Sequence, residues 1–252
     1  MPRHRQLGRV WRMIGSVLLI LTLSAFVHGF FGFGFSAVAV SLLTIDLSTK
    51  EAVAQVVSIA PISTVAAALI QHREVSYRGT IPLALGTLLF FPLGVWLLFV
   101  APETALHLAL GGVVIAAAAM QLFPGRLQLL PPGKVGGSLA AALSGLFGGA
   151  IGTPGLTMTA YIYGKEKDAN VARASLQFFF LFTTAVAALT HGIAGTITGN
   201  TLTQALYSAV PVVLALFAGI TLARRTNQGK LRLLYAVGLG GMGFYILFRA
   251  LL

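Results

Sequence analysis

The sequence predicts an all-α polytopic membrane protein with about eight membrane segments, arranged as two inverted four-segment repeats. Of its 252 residues, 57% are hydrophobic and 9% are charged, whereas a soluble domain carries about 25% charged residues. Apolar runs long enough to cross about 30 Å of hydrocarbon recur along the chain. The two halves also match each other in sequence, and their equivalent loops carry opposite charge bias.

The first and fifth apolar segments are too long and too rich in glycine for one plain helix. The first has 32 residues, which would extend about 48 Å as a helix, so we expect both to tilt, break or turn back, as V-shaped hairpins. The basic start of residues 1–26 imitates a signal peptide, but apolarity continues to Ile45, which favours a retained segment. The predicted segments are residues 14–45, 51–71, 79–100, 104–122, 136–163, 169–192, 202–223 and 232–251.

The internal repeat divides the chain into a basic N-terminal tail at 1–13, repeat 1 at 14–123, a cytoplasmic linker at 124–135 and repeat 2 at 136–252. Matches between the halves keep their order while the offset between them grows slowly, as expected for two copies with small insertions. Chance matching of small and apolar residues is the alternative. The matches are Gly29-Phe-Phe-Gly32 with Gly145-Leu-Phe-Gly148, Lys50-Glu-Ala52 with Lys167-Asp-Ala169, Ser63-Thr64 with Thr183-Thr184, and Leu122-Phe123 with Leu247-Phe248.

Charges in the loops predict that the two halves face opposite ways. The loop with Arg73 and Arg78 corresponds to the uncharged loop at 193–201, and the loop with Glu103 corresponds to the basic loop at 224–231. Short cytoplasmic loops collect Lys and Arg, so we expect loops 72–78, 123–135, 164–168 and 224–231 in the cytoplasm. The basic N-terminus disagrees with strict symmetry: either it is tolerated outside, or segment 14–45 crosses fully while 136–163 does not.

Two glycine-rich stretches, at residues 28–40 and 144–159, indicate broken helices. Glycine permits positive φ and proline removes a hydrogen-bond donor, and unwound backbone at membrane depth survives where it is buried in protein or lines a cavity. Broken helices at the midplane of inverted repeats bind substrate in secondary transporters, and their N-termini favour anions. The alternative is that these glycines only let helices pack closely.

The candidate substrate-binding residues are glycines and polar side chains in or beside the broken stretches. His28 is either an anion donor or a hydrogen-bonded core histidine. Arg173 either pairs with an anion or snorkels to the cytoplasmic interface. The full set is His28, Gly29, Gly32, Gly34, Ser36, Gln55, Ser58, Gly148, Gly149, Gly152, Thr153, Pro154, Thr157, Arg173 and Gln177.

Several functions are disfavoured by composition. All six carboxylates fall at loops or segment ends and no cysteine is present, so we expect no buried-acid proton relay, no thiol chemistry and no disulfide. We expect no cofactor, no metal and no catalytic residue. The basic residues lie in loops rather than in a stripe, which argues against nucleic acid. The expected partners are a small anion and the lipid bilayer, and small-residue motifs facing lipid would allow a homodimer.

The two glycine-rich segments, the Lys-acid-Ala start of the following segments (Lys50-Glu51-Ala52 and Lys167-Asp168-Ala169) and the four-plus-four layout resemble the TauE/SafE family. The resemblance covers nearly the whole chain. It implies a transporter, with export of sulfite, organosulfonates or related organic acids, and we expect the bacterial inner membrane. Phe33 and Phe35 stand where further glycines are common in the family, so we expect the first broken stretch to wall or gate the cavity. The second, at 148–155, would supply more of the direct contacts.

The leading hypothesis is a secondary transporter working by alternating access, and not an enzyme. An anion channel and a non-transporting membrane scaffold are alternatives. An intramembrane serine protease is much weaker: Ser144-Gly145 and His191-Gly192 loosely mimic a serine–histidine dyad, but Ala142 stands where the Gly-x-Ser-Gly motif requires glycine.

Overall fold

The described residues form helices and short connections, with no β-strand among them. The structure is a computed structural model, and it describes residues 2–71, 75–123, 130–131, 133–166, 168–226 and 228–251. Within these ranges the helices are α1 Pro2–Phe31, α2 Phe35–Leu43, α3 Thr49–Gln71, α4 Tyr77–Val100, α5 Glu103–Leu122, α6 Gly133–Ile151, α7 Gly155–Lys165, α8 Ala169–Ile193, α9 Gly199–Arg225 and α10 Gln228–Leu251.

The prediction of an all-α, multi-pass membrane protein is confirmed. Among the described residues, seven helices are long and apolar enough to cross a membrane, namely α3, α4, α5, α6, α8, α9 and α10. The first predicted segment corresponds to α1 and α2, and the fifth to α6 and α7. Helix α1 begins at Pro2. Residues 2–13, which the sequence predicts as a separate N-terminal tail, are therefore part of this helix. Most of the predicted linker, at 124–129 and 132, lies outside the described residues.

Polar caps fix several helix starts. Ser48 and Glu51 cap the start of α3 reciprocally: the Ser48 N–H donates to Glu51 Oε2 at 3.0 Å and the Glu51 N–H donates to Ser48 Oγ at 3.3 Å. The carboxylate of Asp168 accepts from the N–H of Asn170 before α8. Thr198 and Thr201 form a capping box before α9. Each cap satisfies backbone donors that the first helical turn leaves free.

Glycines set the closest helix contacts. Helix α6 packs on α4 and helix α1 packs on α9. A Cβ at Gly149 would lie 2.5 Å from the Val95 nitrogen on α4, and one at Gly29 would overlap the Leu216 carbonyl on α9. The same holds on the partner helices, where a Cβ at Gly94 or Gly219 would overlap a carbonyl of α6 or α1. The surroundings of these glycines therefore agree with the alternative interpretation, in which glycine lets two helices pack closely.

Other helix pairs complete the packing. Helix α5 lies against α10, and α3 contacts both α8 and α9. Two clusters of buried apolar side chains result, a large one that includes α2, α3, α5 and α9 and a smaller one formed mainly by α6, α7 and α8. The connections between α1 and α2 and between α6 and α7 lie among these helices.

Candidate functional site

The first helix break lies between α1 and α2. Helix α1 ends at Phe31 and α2 begins at Phe35, and the connection contains two left-handed residues, Gly32 at φ 82° and Gly34 at φ 96°. Side chains other than glycine are strained at such φ values. A Cβ at Gly34 would also overlap the hydroxyl of Tyr235, so this position needs glycine for two independent reasons.

The second break lies between α6 and α7. Helix α6 ends at Ile151, Gly152 has φ 66°, and α7 begins at Gly155 after Thr153 and Pro154. The N–H of Thr153 donates to the Phe147 carbonyl at 3.1 Å, and the Ser144 hydroxyl donates to the Pro154 carbonyl. These bonds hold the non-helical backbone in place.

Helix α7 lies alongside α6 after the second break. The Thr157 hydroxyl donates to the Ala140 carbonyl at 3.3 Å, and the Tyr161 hydroxyl donates to the Gly133 carbonyl at 3.0 Å. The later residue of α7 is bonded to the earlier residue of α6, so the two helices run antiparallel. The start of α7 is therefore near the end of α6, and its end is near the beginning of α6.

Neither half-helix has a side-chain cap at its N-terminus. Gly34 precedes α2 and Pro154 precedes α7, and neither residue accepts a hydrogen bond through its side chain. The first N–H groups of a helix have no intrahelical partner, and they give the N-terminus a partial positive charge. Both breaks thus present backbone donors suited to an anion.

Both uncapped N-termini face one cavity. Its empty space, counted together with the part that is open to solvent, is about 570 Å³. The lining residues come from the two breaks, from the short helices α2 and α7 and from five longer helices: His28, Phe33, Gly34, Phe35, Ser36, Ala37, Ala60, Thr64, Val113, Ala117, Thr153, Pro154, Gly155, Leu156, Phe180, Thr184 and Tyr235.

Two hydroxyl groups in this lining are buried and have no partner within the described part of the chain. They belong to Thr153, which is 3% exposed, and to Tyr235. The Tyr235 ring is held by stacking on Phe31 at 4.2 Å between centroids. Buried polar groups are nearly always hydrogen-bonded, so these two hydroxyls are available donors or acceptors for a ligand.

Two threonines in the cavity wall join the helices that follow the breaks. The hydroxyls of Thr64 on α3 and Thr184 on α8 are hydrogen-bonded at 2.8 Å. These are the two residues that the sequence repeat pairs with each other. One of the two hydroxyls donates to the other. Each also lies within hydrogen-bonding distance of a carbonyl oxygen of its own helix, Thr64 of Ala60 at 3.1 Å and Thr184 of Phe180 at 2.7 Å.

A buried network ties the first break to α8 and α3. The Gln177 amide nitrogen donates to the Gly32 carbonyl at 2.8 Å, and its oxygen lies 3.1 Å from His28 Nε2. An amide oxygen can only accept, so Nε2 carries a proton and the other ring nitrogen of a neutral His28 accepts from the Ser63 hydroxyl at 3.3 Å. His28 is therefore a hydrogen-bonded residue that also lines the cavity.

The predicted site residues fall into two groups. Five of them line the cavity, namely His28, Gly34, Ser36, Thr153 and Pro154. The others lie in the packing around it: Gly29 and Gly149 at helix contacts, Gly148 against Phe91 and Pro154, Gly32 and Gln177 in the His28 network, Gly152 in the second break, Thr157 on Ala140, Ser58 on the Ala54 carbonyl, Gln55 buried on α3, and Arg173 beside Gly32. Binding of substrate by any of them stays a prediction.

Arg173 lies beside the cavity rather than in its lining. A Cβ at Gly32 would be 3.0 Å from its Nε, and the residue is only partly buried. None of the described residues that line the cavity is Lys, Arg, Asp or Glu. Within the described lining, positive potential therefore comes from the helix N-termini, and the Arg173 guanidinium adds to it from beside the first break.

Sequence reasoning missed Tyr235, Phe180 and the Thr64–Thr184 pair as cavity residues. Tyr235 lies in the last predicted segment, and a tyrosine inside an apolar run needs a partner for its hydroxyl, which was the available signal. The sequence comparison had already matched Thr64 with Thr184, which was the available signal for that pair.

Two other chemistries find no support in the described residues. No group of three or more His, Asp or Glu residues that could hold a metal occurs among them. The Ser144 hydroxyl donates to the Pro154 carbonyl, and among the described residues no hydrogen bond joins Ser144 to His191. The serine–histidine dyad of a protease is therefore not formed there.

Comparison with known proteins agrees with this geometry. The sequence model of the family described as "Sulfite exporter TauE/SafE" matches residues 17–246, nearly the whole chain. The chain belongs to the TauE/SafE sulfite exporter family. Among curated proteins and among solved structures, no match was found. As a TauE/SafE member this protein is of a membrane-transporter type, consistent with a function that is not enzymatic.

Proposed function

We propose that this protein is a secondary transporter of a small anion, working as an exporter by alternating access in the bacterial inner membrane. One observation carries the proposal: two uncapped helix N-termini meet in one cavity with two buried hydroxyls that have no partner among the described residues. The sulfite exporter family supplies the direction of transport and the class of substrate, which is sulfite, a sulfonate or a related organic acid.

The anion would be bound by donors fixed before it arrives. Backbone N–H groups at the starts of α2 and α7, together with Thr153 and Tyr235, replace part of its hydration shell. The breaks hold these donors rigidly, through positive-φ glycines on one side and the Ser144–Pro154 and Thr153–Phe147 bonds on the other. Such preorganised donors reduce the ordering cost of binding.

An inverted two-fold relation between the halves is supported by exchanged contacts. Helix α1 packs on α9 of the other half as α6 packs on α4, α5 packs on its counterpart α10, and α3 on its counterpart α8. The bond between Thr64 and Thr184 joins equivalent residues. We propose that α1–α2 and α6–α7 are helical hairpins inserted from opposite sides of the membrane.

Contacts between loops support the proposed sidedness. The loop at 72–78 meets α8 in its first third, where the Ser76 N–H donates to Ser175 Oγ at 3.0 Å. At the other end, the Thr49 N–H donates to Glu103 Oε1 at 2.6 Å and Arg249 reaches Thr44. We assign the first group to the cytoplasm because its loops carry the excess of Lys and Arg.

Removing the two hydroxyls tests the proposal. Thr153→Val and Tyr235→Phe keep the shape of each side chain and delete one donor, and a hydrogen bond to a charged partner is worth about 1.5–3 kcal/mol. We expect each variant to bind anion about tenfold to a hundredfold more weakly. The measurement is counterflow of radiolabelled sulfite and methanesulfonate into proteoliposomes.

Thr203→Val is the matched control, since this threonine is exposed on α9 and bonds only the Gly199 carbonyl of its own helix. Counterflow also separates a transporter from a channel, because a channel shows no exchange-driven accumulation. If both cavity variants behave as the wild type, or if the wild type moves none of these anions, the proposed function is wrong.

A further inference from the structure

The two breaks differ in how accessible they are. Phe31, Phe33 and Gly34 at the first break are partly exposed, whereas residues 151–154 of the second break are all buried. Arg173, beside Gly32 of the first break, is also partly exposed and lies in the first turns of α8. The cavity is therefore accessible beside the first break, on the side where α8 begins, and closed around the second break.

Aliphatic side chains cover the second break. A Cβ at Gly152 would lie 3.5 Å from Val53 on α3 and 3.6 Å from Val40 on α2, and both valines are fully buried. Helix α2 ends and α3 begins at the end of the molecule where Thr49 meets Glu103, which we call the outer end. These side chains therefore separate the cavity from the outer end.

Ser41 on α2 carries a buried hydroxyl group close to this aliphatic layer. It is 0% exposed, and its Oγ has no hydrogen-bond partner among the described residues. A serine inside a helix can donate to the carbonyl four residues earlier, and the buried Ser24 and Ser208 do so at 2.7 and 2.8 Å. Ser41 comes one turn after the cavity residue Ala37, about 6 Å further towards the outer end.

A second hydroxyl of this kind lies at the start of α3. Thr49 is fully buried, and its Oγ1 also lacks a partner within the described ranges. A buried polar group that stays unpaired costs free energy, and native proteins nearly always pair such groups. The hydroxyls of Ser41 and Thr49 therefore indicate a second conformation, in which water or a ligand reaches them.

Polar contacts hold the outer end together. Arg249 on α10 donates to the carbonyls of Thr44 and Ile45 at the end of α2. The carboxylate of Glu103 accepts from the Thr49 N–H at the start of α3. Both charged side chains belong to exposed residues, so water competes for these bonds and each is weak. Such contacts suit a closure that opens once in every transport cycle.

We infer that Ser41 lies on the outer half of the transport path, which this structure holds closed, and that Arg249 is the latch of that half. The inference rests on the proposed function, and it adds the exit route and the residue that controls it. When the end of α2 separates from α10, Val40 withdraws from the second break. The hydroxyls of Ser41 and Thr49 then meet water and the departing anion.

A cysteine at position 41 tests the latch, because the chain contains no other cysteine. Its reaction with a membrane-impermeant thiol reagent is measured in right-side-out and inside-out membrane vesicles. We expect Ser41→Cys to react slowly alone, and several-fold faster with Arg249→Met added, in right-side-out vesicles only. Arg225→Met, at an exposed position at the end of α9, is the control for the latch and should not change the rate.

Ser24→Cys is the matched control for the thiol. Ser24 is as fully buried as Ser41, but its hydroxyl donates to the Ile20 carbonyl of its own helix. We expect this thiol to stay unreactive with and without Arg249→Met. A general loosening of the fold would expose both thiols, whereas release of the latch exposes only the one at position 41.

Ser41→Ala gives a second reading that needs no reagent. The hydroxyl has no partner among the described residues, so its removal should not lower the midpoint of thermal unfolding. Counterflow of methanesulfonate in proteoliposomes should nevertheless become several-fold slower, because the open path loses a polar contact. Ser24→Ala should leave counterflow unchanged.

Two results would overturn the inference and leave anion transport intact. One is a Ser41→Cys thiol that Arg249→Met does not make more reactive, or that reacts mainly in inside-out vesicles. The other is wild-type counterflow in Ser41→Ala. Absence of counterflow in the wild-type protein contradicts the proposed function itself, and the inference with it.

Discussion

Gln177 shows how one side chain can hold an irregular backbone inside a membrane protein. Its amide joins the Gly32 carbonyl of the first break to the ring of His28, and it is 1% exposed. The break removes the Gly32 carbonyl from the helical ladder, and Gln177 satisfies it in place of the missing backbone donor. The break is thus stabilised from α8, which belongs to the other half of the sequence.

Replacing Gln177 by leucine should destabilise the protein measurably. Two buried groups, the Gly32 carbonyl and His28 Nε2, would lose their partner, at about 1–3 kcal/mol each. We expect a lower midpoint of thermal unfolding for Gln177→Leu and weaker anion binding. Gln204→Leu is the control, because the Gln204 side-chain oxygen is already buried without a partner among the described residues. Equal unfolding midpoints for the two variants would contradict this role.

Individual site residues were predictable to different degrees. His28, Ser36 and Thr153 were identifiable because they sit within the glycine-rich stretches, and all three line the cavity. Tyr235 lies far away in sequence, in the last predicted segment, which contains glycines but no proline. Only packing brings its hydroxyl to Gly34. Gln55 and Ser58 were selected by their match to the second repeat, and a match in sequence does not fix which way a side chain points.

Helix α2 is a short element held at both ends by α10. Tyr235 contacts Gly34 at its start, and Arg249 Nη1 donates to the Thr44 and Ile45 carbonyls at its end, at 2.8 and 2.9 Å. These are carbonyls that a helix C-terminus leaves unpaired, and a cation there is favoured by the helix dipole. The nine residues of α2 are too few for a helix to be stable in isolation.

Arg249→Met should therefore loosen α2 selectively. The arginine is exposed, so we expect a loss of only about 1 kcal/mol after solvent screening. Hydrogen exchange of residues 35–45 should speed up several-fold while exchange in α6 stays unchanged. Arg225→Met, at an exposed position at the end of α9, is the comparison. An unchanged exchange rate in α2 would show that Arg249 does not anchor it.

The helix bounds were largely predictable, since apolar runs and capping residues determine them. Predicted segments 79–100 and 169–192 differ from α4 and α8 by at most two residues at either end. The positions of the breaks followed from glycine and proline, but which glycines take positive φ did not. Gly29 and Gly149 remain helical because α9 and α4 pack against them, and sequence spacing alone carries no information about such neighbours.

The architecture as a whole places the two breaks around one cavity. The sequence repeat and the loop charges predict an inverted relation between the two halves, and this relation stays a prediction. In the structure α1 packs on α9 and α6 packs on α4. Apolar composition predicts membrane insertion but not which helices touch, because lipid and apolar side chains offer similar surroundings. Close approach at glycines provides that specificity here.

A single cysteine in the cavity tests alternating access around this site most directly. The chain contains no cysteine, and Ser36 lines the cavity, so Ser36→Cys introduces one reporter thiol with little change in shape. Its rate of reaction with a membrane-impermeant thiol reagent is measured from each side of the membrane, with and without methanesulfonate. Ala194→Cys, exposed between α8 and α9, is the control.

We expect the Ser36→Cys thiol to react from both sides, and bound methanesulfonate to slow both reactions several-fold. The control thiol should react from one side only and be indifferent to the anion. Modification of Ser36→Cys from one side alone under all conditions, or at a rate that the anion does not change, would contradict alternating access around an anion bound between the two breaks.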